Sequence, residues 1–349
     1  MPNGKPRPIA VASWPRRLVS RILATRFRQN APSLAPLQWG LTRSGPETVH
    51  SALSTLLHSP HASSLTVTTI DFANAFGSLP RSWIHDALAT LDPNISHDLY
   101  RYAYHFLLSD TTVTFTSHGA DPLPLTCRTG VPQGDPLSPL LFCLAIQPRL
   151  QAMQSPTLRS VAYLDDLTFL STYPSATVIA TAIHFFYPLL ELNVDKCKQL
   201  FTTSSHLGAS FDHSAPSPSV TKASLRLNKM TECPSPQHIL PLARFALNGT
   251  TYSSRLGDRT EPASESLRAL LLYLSSTHNL NPGFTLTPGH VLLSSLPLAR
   301  GGLGLPDPCI TSPHLRSDCL QSTFSGASSI IHHLTHDMIV DASPIVTHL

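Results

Sequence analysis

The chain has 349 residues, more than one compact core usually holds, so two or three subdomains are expected. Hydrophobic residues make up 42% and charged residues only 13%, and the 32 prolines predict many loops and helix breaks. The net charge of +3 is too small to indicate a polyanion-binding protein by itself. The cysteine spacing includes no C-x-x-C pair, and no apolar run of about 18 residues could span a membrane. We therefore expect reduced thiols, no membrane partner, and an intracellular protein of the cytoplasm, the nucleus or both.

Basic side chains are concentrated at the N-terminus, where lysine and arginine residues precede the first acid, Glu47. The first residues are extended and interrupted by prolines, and a helix is predicted from about Pro15 to Pro32. On this helix Arg17, Arg21 and Arg28 fall within roughly 40° of one another, given about 100° per residue. Such a basic stripe indicates a polyanionic partner, and the alternatives are a solvated face or a transit peptide.

Further elements follow in chain order, with Gly- and Pro-rich breaks between them. β-branched residues predict strands, and apolar residues at helical spacing predict helices. The predicted strands lie at about 65–71, 111–116 and 199–202. The predicted helices lie at about 46–58, 83–91, 96–108, 137–153, 176–190, 265–275 and 327–341. A composition rich in Ser and Pro predicts a boundary near 212–222.

The segment Tyr163-Leu164-Asp165-Asp166 lies between two apolar β-rich runs and predicts a tight hairpin. Adjacent carboxylates repel each other, and a divalent metal would neutralise them. A third acid, Asp71, ends the predicted strand at 65–71, and three carboxylates at one sheet edge would hold two Mg²⁺ ions. That chemistry is nucleotidyl transfer. The alternative for each Asp alone is a turn or a helix cap.

Other candidates lie near these acids in the sequence. Phe76, five residues after Asp71, would lie under a nucleotide sugar and exclude a 2′-hydroxyl, or it is a core aromatic residue. The loop residues Gln133 and Gly134 allow a nucleotide to approach the backbone closely, or they form an ordinary loop–helix junction. Three basic residues are candidate phosphate contacts, with exposed surface positions as the alternative, and these are Lys5, Arg7 and Lys196. Lys196 could instead act as a general acid for the leaving pyrophosphate.

Five segments, in this order, resemble the motifs of reverse transcriptases, most closely those of the non-LTR (LINE-like) retrotransposon type. These segments are Arg7-Pro8-Ile9, Asp71 to Phe76, Gly130 to Pro139, Tyr163 to Asp166, and Leu192 to Cys197. The resemblance covers roughly residues 3–210. The segment Leu296 to Leu305 resembles, more weakly, one that follows the polymerase domain in such proteins.

The resemblance implies an α+β right-hand polymerase with an antiparallel palm sheet covered by helices. Its implied parts are shortened fingers at 1–66, a palm at 67–211 with an inserted fingers segment at about 80–125, a thumb-like helical region at 212–290 and a C-terminal connecting region at 291–349. Its implied partners are an RNA template, a DNA primer and dNTPs, so the chain would bind both RNA and DNA.

The resemblance also assigns residues. Asp71, Asp165 and Asp166 would be catalytic and would hold two Mg²⁺ ions, with Mn²⁺ as an alternative. The implied nucleotide-binding residues are Lys5, Arg7, Phe72, Phe76, Gln133, Gly134 and Lys196. The implied primer contacts are Tyr163, Leu207 and Gly208.

Some expected family parts have no counterpart, namely the earliest fingers motifs, an endonuclease, an RNase H and a zinc knuckle. We therefore expect a polymerase piece of a larger element product or a truncated copy. An RNA-directed RNA polymerase is disfavoured by Leu164 and Phe76. A copy that only binds nucleic acid and a group II intron or retron enzyme remain open, as does the oligomeric state.

Overall fold

A computed structural model describes residues 12–30, 34–115, 121, 123–232, 236–256, 259–277, 285–300, 303–336 and 338. Lys5 and Arg7 lie outside these residues. The chain divides into two compact units. The first unit consists of the described parts of Met1–Gly45, Ser59–Gln199 and Ser329–Pro344, and the second of those of Pro46–His58 and Leu200–Ser328.

The helices of the described residues are numbered in chain order. They are α1 (Trp14–Asn30), α2 (Gly45–Leu57), α3 (Ala75–Ser78), α4 (Arg81–Ala89), α5 (Pro93–Ala103), α6 (Ser138–Ala152), α7 (Ser175–Phe186), α8 (Pro218–Met230), α9 (Pro236–Asn248), α10 (Thr251–Leu256), α11 (Glu261–Thr277), α12 (Pro288–Ser295) and α13 (Pro308–Thr335). Short 3₁₀ turns lie at Pro60–Ser64, Val194–Lys196 and Leu298–Arg300, and a π-helix lies at Tyr104–Leu108. No helix within the described ranges is both long enough and apolar enough to cross a membrane.

The strands of the residues that the structure describes form three small antiparallel sheets. They are β1 (Thr66–Ile70), β2 (Thr111–Phe115), β3 (Leu123–Cys127), β4 (Leu158–Tyr163), β5 (Asp166–Ser171), β6 (Lys198–Gln199), β7 (Ser205–His206) and β8 (Ala209–Ser210). The largest sheet has the order β4-β5-β1-β6, and β2 pairs with β3 and β7 with β8. The combination of helices with antiparallel sheets confirms the predicted α+β class.

The core of the first unit forms around α6. Residues Leu140 to Ile146 of α6 are apolar on all sides of the helix, and such a stretch is stable only when it is surrounded by protein. Leu140, Leu141 and Phe142 are fully buried and belong to the same cluster as Leu167 and Phe169 of β5. The sheet strands that carry the polymerase-like motifs therefore rest on a closely packed apolar base.

The core of the second unit is helical. Leu227 of α8, Ile239 of α9 and Leu267 of α11 are fully buried in one cluster. Each of these helices contributes apolar residues from one stripe to this cluster, so a three-helix arrangement buries the stripes. This agrees with the helical character predicted from the sequence for this region.

The structure differs from the predicted elements in several places. The strand predicted at 199–202 is reduced to β6, because only Lys198 and Gln199 pair with β1. The last helix begins at Pro308 rather than near 327 and continues past Pro313. β3 was not predicted, since Pro124 within it disfavours a central strand, and it pairs only with β2. One of the points where the chain passes between the two compact units lies between Gln199 and Leu200, and the predicted palm boundary at 211 stays a prediction.

Candidate active site

The acids singled out from the sequence lie at one end of neighbouring strands. β1 runs antiparallel to β5 with Ile70 opposite Leu167, so one residue further along this register Asp71 lies level with Asp166. β4 and β5 form a hairpin in which Tyr163 pairs with Asp166. Strand pairing therefore brings Asp71 and the hairpin turn with Asp165 to the same edge of the sheet.

The hairpin turn is held by the side chain of Gln38, which is only 2% exposed. Leu164 in the turn has a φ of 57°, in the left-handed region that residues other than glycine rarely adopt. The Oε1 atom of Gln38 accepts a hydrogen bond from the Leu164 N–H at 3.1 Å, and its Nε2 donates to the Leu164 carbonyl at 3.3 Å. This two-point contact stabilises the unusual turn that presents Asp165.

Backbone pairing brings Gln38 to this position. The N–H of Ala162 donates to the carbonyl of Leu37 at 2.7 Å, and the N–H of Trp39 donates to the carbonyl of Ala162 at 2.8 Å. Gln38 was not among the residues predicted from the sequence. No local pattern marks such a glutamine, because its partner Leu164 lies 126 residues away in the sequence.

The backbone at Asp71 is tied to the segment 191–197. The N–H of Asn193 donates to the Asp71 carbonyl at 2.8 Å, and the Asp71 N–H donates to the Cys197 sulfur at 3.5 Å. Burial raises the pKa of the Cys197 thiol, so the thiol stays protonated near neutral pH. The same segment brings the Nζ atom of Lys196 to 3.6 Å from the Asp71 carboxylate.

The two phenylalanines after Asp71 occupy different surroundings. Phe76 is half-buried at the surface of a cavity, and its ring stacks on Phe142 with centroids 4.8 Å apart. The ring of Phe72 is 6% exposed and meets Phe186 edge-on, with centroids 5.0 Å apart. Phe72 therefore contributes to the cavity lining from a position in the core, whereas Phe76 reaches the cavity from one side.

The start of the Gly130–Pro139 loop is fixed by backbone contacts. The N–H of Val131 donates to the Phe76 carbonyl at 2.8 Å, and the guanidinium of Arg81 donates to the Gly130 carbonyl at 3.1 Å. Gly130 has a φ of 73°, and a Cβ there would collide with the Gly77 carbonyl. Only glycine fits this close crossing of two backbones.

The middle of the same loop is anchored by Asp135, whose side chain is 1% exposed. One carboxylate oxygen accepts from the Leu137 N–H at 2.9 Å, and the other lies 3.7 Å from the Nε atom of Arg16 on α1. The two residues before Asp135, Gln133 and Gly134, face the cavity. A buried ion pair thus holds the base of the segment that was predicted to contact a nucleotide.

These segments surround one cavity of about 1000 Å³. Seven of the predicted site residues line it, namely Asp71, Phe72, Phe76, Gln133, Gly134, Asp165 and Lys196. Sequence reasoning did not single out several other polar lining residues, which are Asn74, Asp135, Ser138, Glu191, Asn193 and Asp195. Most of these residues lie within a few positions of a predicted motif, and that proximity in sequence is the signal that could have identified them.

The carboxylates are hard oxygen donors of the kind Mg²⁺ prefers. Asp71 and Asp165 line the cavity, and Asp166 is exposed outside its lining. Within the described part of the chain, no three His, Cys, Asp or Glu side chains are gathered closely enough to hold a metal. The cation beside Asp71 is the Lys196 ammonium, so the donor chemistry fits a divalent metal while the three acids are not assembled around one point.

The predicted primer contacts lie in different units. Tyr163 is half-buried at the end of β4, in the first unit. Leu207 and Gly208 form the two-residue turn of the β7–β8 hairpin in the second unit, with φ values of 51° and 83°. These positive angles are typical of a tight hairpin turn. Their role toward a primer stays a prediction.

The family model for reverse transcriptase (RNA-dependent DNA polymerase) matches residues 2–211. The chain therefore belongs to the reverse transcriptase family. Members of this family generally use divalent metals such as Mg²⁺ and bind an RNA template. The match contains the described segments that line the cavity.

Sequence similarity relates the chain to one type of protein within this family. The chain is 33% identical, over 195 residues, to the retrovirus-related Pol polyprotein from type-1 retrotransposable element R2 of Popillia japonica. That alignment covers 52% of this chain and 27% of the relative, so the chain matches about a quarter of that protein's length. The chain thus contains a reverse transcriptase domain related to that of a non-LTR retrotransposon, as the sequence motifs predicted.

Solved structures of telomerase give weaker likenesses. The telomerase from Candida tropicalis in complex with a fragment of telomeric RNA is 11% identical with a TM-score of 0.42, covering 96% of this chain and 56% of that chain. The corresponding complex from Candida albicans is 12% identical with a TM-score of 0.39, covering 95% and 56%. The chain spans little more than half the length of these proteins.

Proposed function

We propose that this chain catalyses RNA-directed DNA synthesis, adding dNTPs to the 3′-hydroxyl of a DNA primer paired with an RNA template. One observation carries the proposal. Acids, an aromatic ring, a glycine-containing loop and a lysine from separate parts of the sequence line a single cavity. Nucleotidyl transfer needs these groups together, because catalysis there consists mainly of positioning and charge stabilisation.

In the proposed enzyme Asp71 and Asp165, with Asp166 beside them, hold two Mg²⁺ ions. The bound metal would supply activation of the primer hydroxyl and neutralise the leaving pyrophosphate. The chain's own contribution is to fix the carboxylates, and the contacts of Gln38 with Leu164 and of Cys197 with Asp71 support that role. Lys196 would exchange its contact with Asp71 for a phosphate oxygen once the metal neutralises the carboxylate.

The incoming nucleotide would lie between the acids and the loop that follows Val131. Gln133 would donate a hydrogen bond to it, and Gly134 would let its backbone come close. The Phe76 ring would exclude a 2′-hydroxyl, supported from behind by Phe142. Phe72 would act from the core by supporting the strand end, and Lys5 and Arg7 would bind the triphosphate.

The proposed parts of the hand follow the motif order. The sheet of β4, β5, β1 and β6 would be the palm, and the helices after residue 211 would be the thumb. Tyr163, Leu207 and Gly208 would contact the primer strand. The activity, substrates and partners of a longer protein that contains this domain are part of the same proposal.

A primer-extension assay tests the proposal. The full chain is given poly(rA) with oligo(dT), dTTP and Mg²⁺, and the product is compared with that of Asp165→Ala. We expect incorporation by the unchanged chain and a loss of at least about a thousandfold in the variant. Glu265→Gln, which changes an exposed acid of α11, is the matched control and should keep full activity.

Three outcomes would contradict the proposal in different ways. Incorporation that survives in Asp165→Ala would remove this residue from the site. A preference for rNTPs would indicate an RNA-directed RNA polymerase. No incorporation by a folded unchanged chain, together with retained binding of the primer–template, would support a nucleic-acid-binding protein without catalysis.

Mn²⁺ binding followed by electron paramagnetic resonance tests the metal separately, and the double variant Asp71→Asn with Asp165→Asn should abolish Mn²⁺ binding.

A further inference from the structure

Helix α1 has two faces with apolar character. Its inward face buries Ser20, Ala24 and Phe27, which are 0%, 4% and 4% exposed, and it is held by the Tyr102 hydroxyl, which donates to the Arg16 carbonyl at 3.0 Å. A helix at the surface of a protein normally has polar residues on its other side. The outward face of α1 departs from that rule.

Three large apolar side chains follow one another along the outward face of α1. Trp14, Leu18 and Ile22 are 73%, 41% and 55% exposed, and their spacing of four residues aligns them along one ridge. Val19, which is 40% exposed, widens it. A contiguous exposed apolar ridge of this kind is typical of an interaction surface rather than of a solvated helix.

A basic row runs beside this apolar ridge. Arg17, Arg21 and Arg28 are exposed and form no ion pair with any residue that the structure describes. Helical geometry places them within roughly 40° of one another, next to the ridge. No acid precedes Glu47 in the sequence, so nothing on α1 neutralises this row.

The apolar ridge and the basic row together indicate which kind of partner this face of α1 would bind. A nucleic-acid strand is bound by cations and by aromatic rings that stack on bases. The arginines could meet phosphates, but Trp14 is the one aromatic ring on the ridge, and the aliphatic side chains of Leu18, Val19 and Ile22 give bases no ring to stack on. An amphipathic helix packs its own apolar stripe onto a ridge with four-residue spacing, and its flanking charges select the partner. The basic flank requires a partner with acidic flanking residues.

We propose that the outward face of α1 is a docking surface for an acidic amphipathic helix of a partner polypeptide. The apolar stripe of the partner covers Trp14, Leu18 and Ile22, and its Glu or Asp side chains pair with Arg17 and Arg21. This interaction is independent of the proposed polymerase activity and adds a protein partner to it.

Tryptophan fluorescence of the full chain tests the surface directly. Trp39 and Trp83 are 6% and 4% exposed, so Trp14 is the tryptophan whose emission responds to contact at the surface. The probe is a synthetic 21-residue peptide with leucines at helical a and d positions and glutamates elsewhere. We expect a saturable blue shift of the emission, and a scrambled peptide of the same composition should give none.

Two pairs of surface substitutions separate the apolar and the charged contributions. Arg17→Glu with Arg21→Glu should weaken peptide binding about tenfold or more, and a lysine version of the peptide should bind this variant best. Leu18→Ser with Ile22→Ser should remove the emission shift. Leu292→Ser with Leu293→Ser, on α12, changes an equally exposed apolar pair and should leave binding unchanged.

Other results would overturn the proposal. Equal binding of the scrambled peptide would mean simple charge attraction. Single-stranded poly(rU), or vesicles of phosphatidylserine, that shift the Trp14 emission and depend equally on Leu18 and Ile22 would make the face a nucleic-acid or a membrane surface. Unchanged far-ultraviolet circular dichroism of each variant ensures that lost binding reflects the surface and not the fold.

Discussion

The two compact units of the chain use their buried polar groups differently. In the first unit the buried side chains of Gln38 and Asp135 hold the backbone of two cavity-forming segments, the hairpin turn and the loop with Gln133. In the second unit Asp307 and His50 are equally buried, but they contact helix ends and packed rings. A buried polar group is costly to desolvate unless its contacts compensate for the lost water.

This difference indicates where changes should affect chemistry and where they should affect only stability. In the first unit the contacts of the buried polar side chains hold segments that would act on a substrate. In the second unit such contacts hold helices in position. Substitutions in the two units should therefore separate catalytic rate from free energy of unfolding.

The largest expected effect is the loss of activity in Asp71→Asn. The change removes a charge that the proposed metal needs, so the primer-extension rate should fall at least about a thousandfold. The Asp71 side chain is 37% exposed and its neighbour Lys196 is 62% exposed, so their contact adds little stability and the melting temperature should hardly change. Retained activity would remove Asp71 from the catalytic site.

The next effect is on the stability of the second unit. Asp307 precedes α13, where one carboxylate oxygen accepts from the Cys309 N–H at 2.9 Å and from the Ser264 hydroxyl at 2.7 Å. Asp307→Ala should lower the free energy of unfolding by about 2–3 kcal/mol, measured by urea denaturation. Asp307→Asn keeps an acceptor and should cost less.

Because the contacts of Asp307 hold helices and not the cavity, the activity per folded molecule of Asp307→Ala should be unchanged below the temperature at which it unfolds. A loss of rate without a loss of stability would show that this unit contributes more than packing.

Gln38→Ala should affect both quantities. Loss of the two hydrogen bonds to Leu164 should cost about 1–3 kcal/mol and should reduce the extension rate roughly ten- to hundredfold, because the turn that carries Asp165 is released. Gln154→Ala is the matched control, since its Oε1 accepts from the Ser160 N–H at 3.1 Å further back on β4. The control should lose stability and keep its rate, and equal rate losses in the two variants would make Gln38 a structural residue only.

Phe76→Val should change selectivity more than rate. Removing the ring opens the cavity beside Asp71, and the preference for dNTPs over rNTPs should fall about tenfold, measured as the ratio of kcat/KM values. Phe142→Leu changes the ring on which Phe76 stacks, without changing the cavity-lining residue itself. It should lower stability and alter selectivity less. Unchanged selectivity in Phe76→Val would remove the proposed sugar gate.

The smallest effect near neutral pH concerns His50. Burial, together with His206 and His213, lowers the pKa of His50 from its usual 6.5 to about 3. Between these values the unfolded chain binds a proton that the folded chain does not, so stability falls as the pH is lowered. From pH 7.5 to 6 the loss should be about 1 kcal/mol.

His50→Phe keeps a ring against Phe211, which stacks on His50 with centroids 4.6 Å apart, and should remove this contribution. The check is the pH dependence of urea unfolding in the two proteins. Identical pH profiles would show that His50 becomes protonated in the folded unit.

Much of the first unit could be predicted locally. The β-branched run before Asp71 and the hairpin around Leu164 follow from period-two patterns, and α6 follows from a long apolar run, so each appears within about two residues of its predicted position. The ends of elements were less predictable. β6 is short because only Lys198 and Gln199 pair with β1, and α13 is longer than predicted because the helix continues past Pro313.

The sequence by itself determined the family and the candidate acids, because a motif is a local property and its residue types name the chemistry. It could not reveal that Gln38 clamps Leu164 or that Arg16 lies beside Asp135, since these pairs are distant in sequence and polar contacts have no periodicity. It also identified the basic row of α1 without the apolar ridge beside it. Which face of a helix is buried depends on what packs against it, and only the tertiary structure decides that.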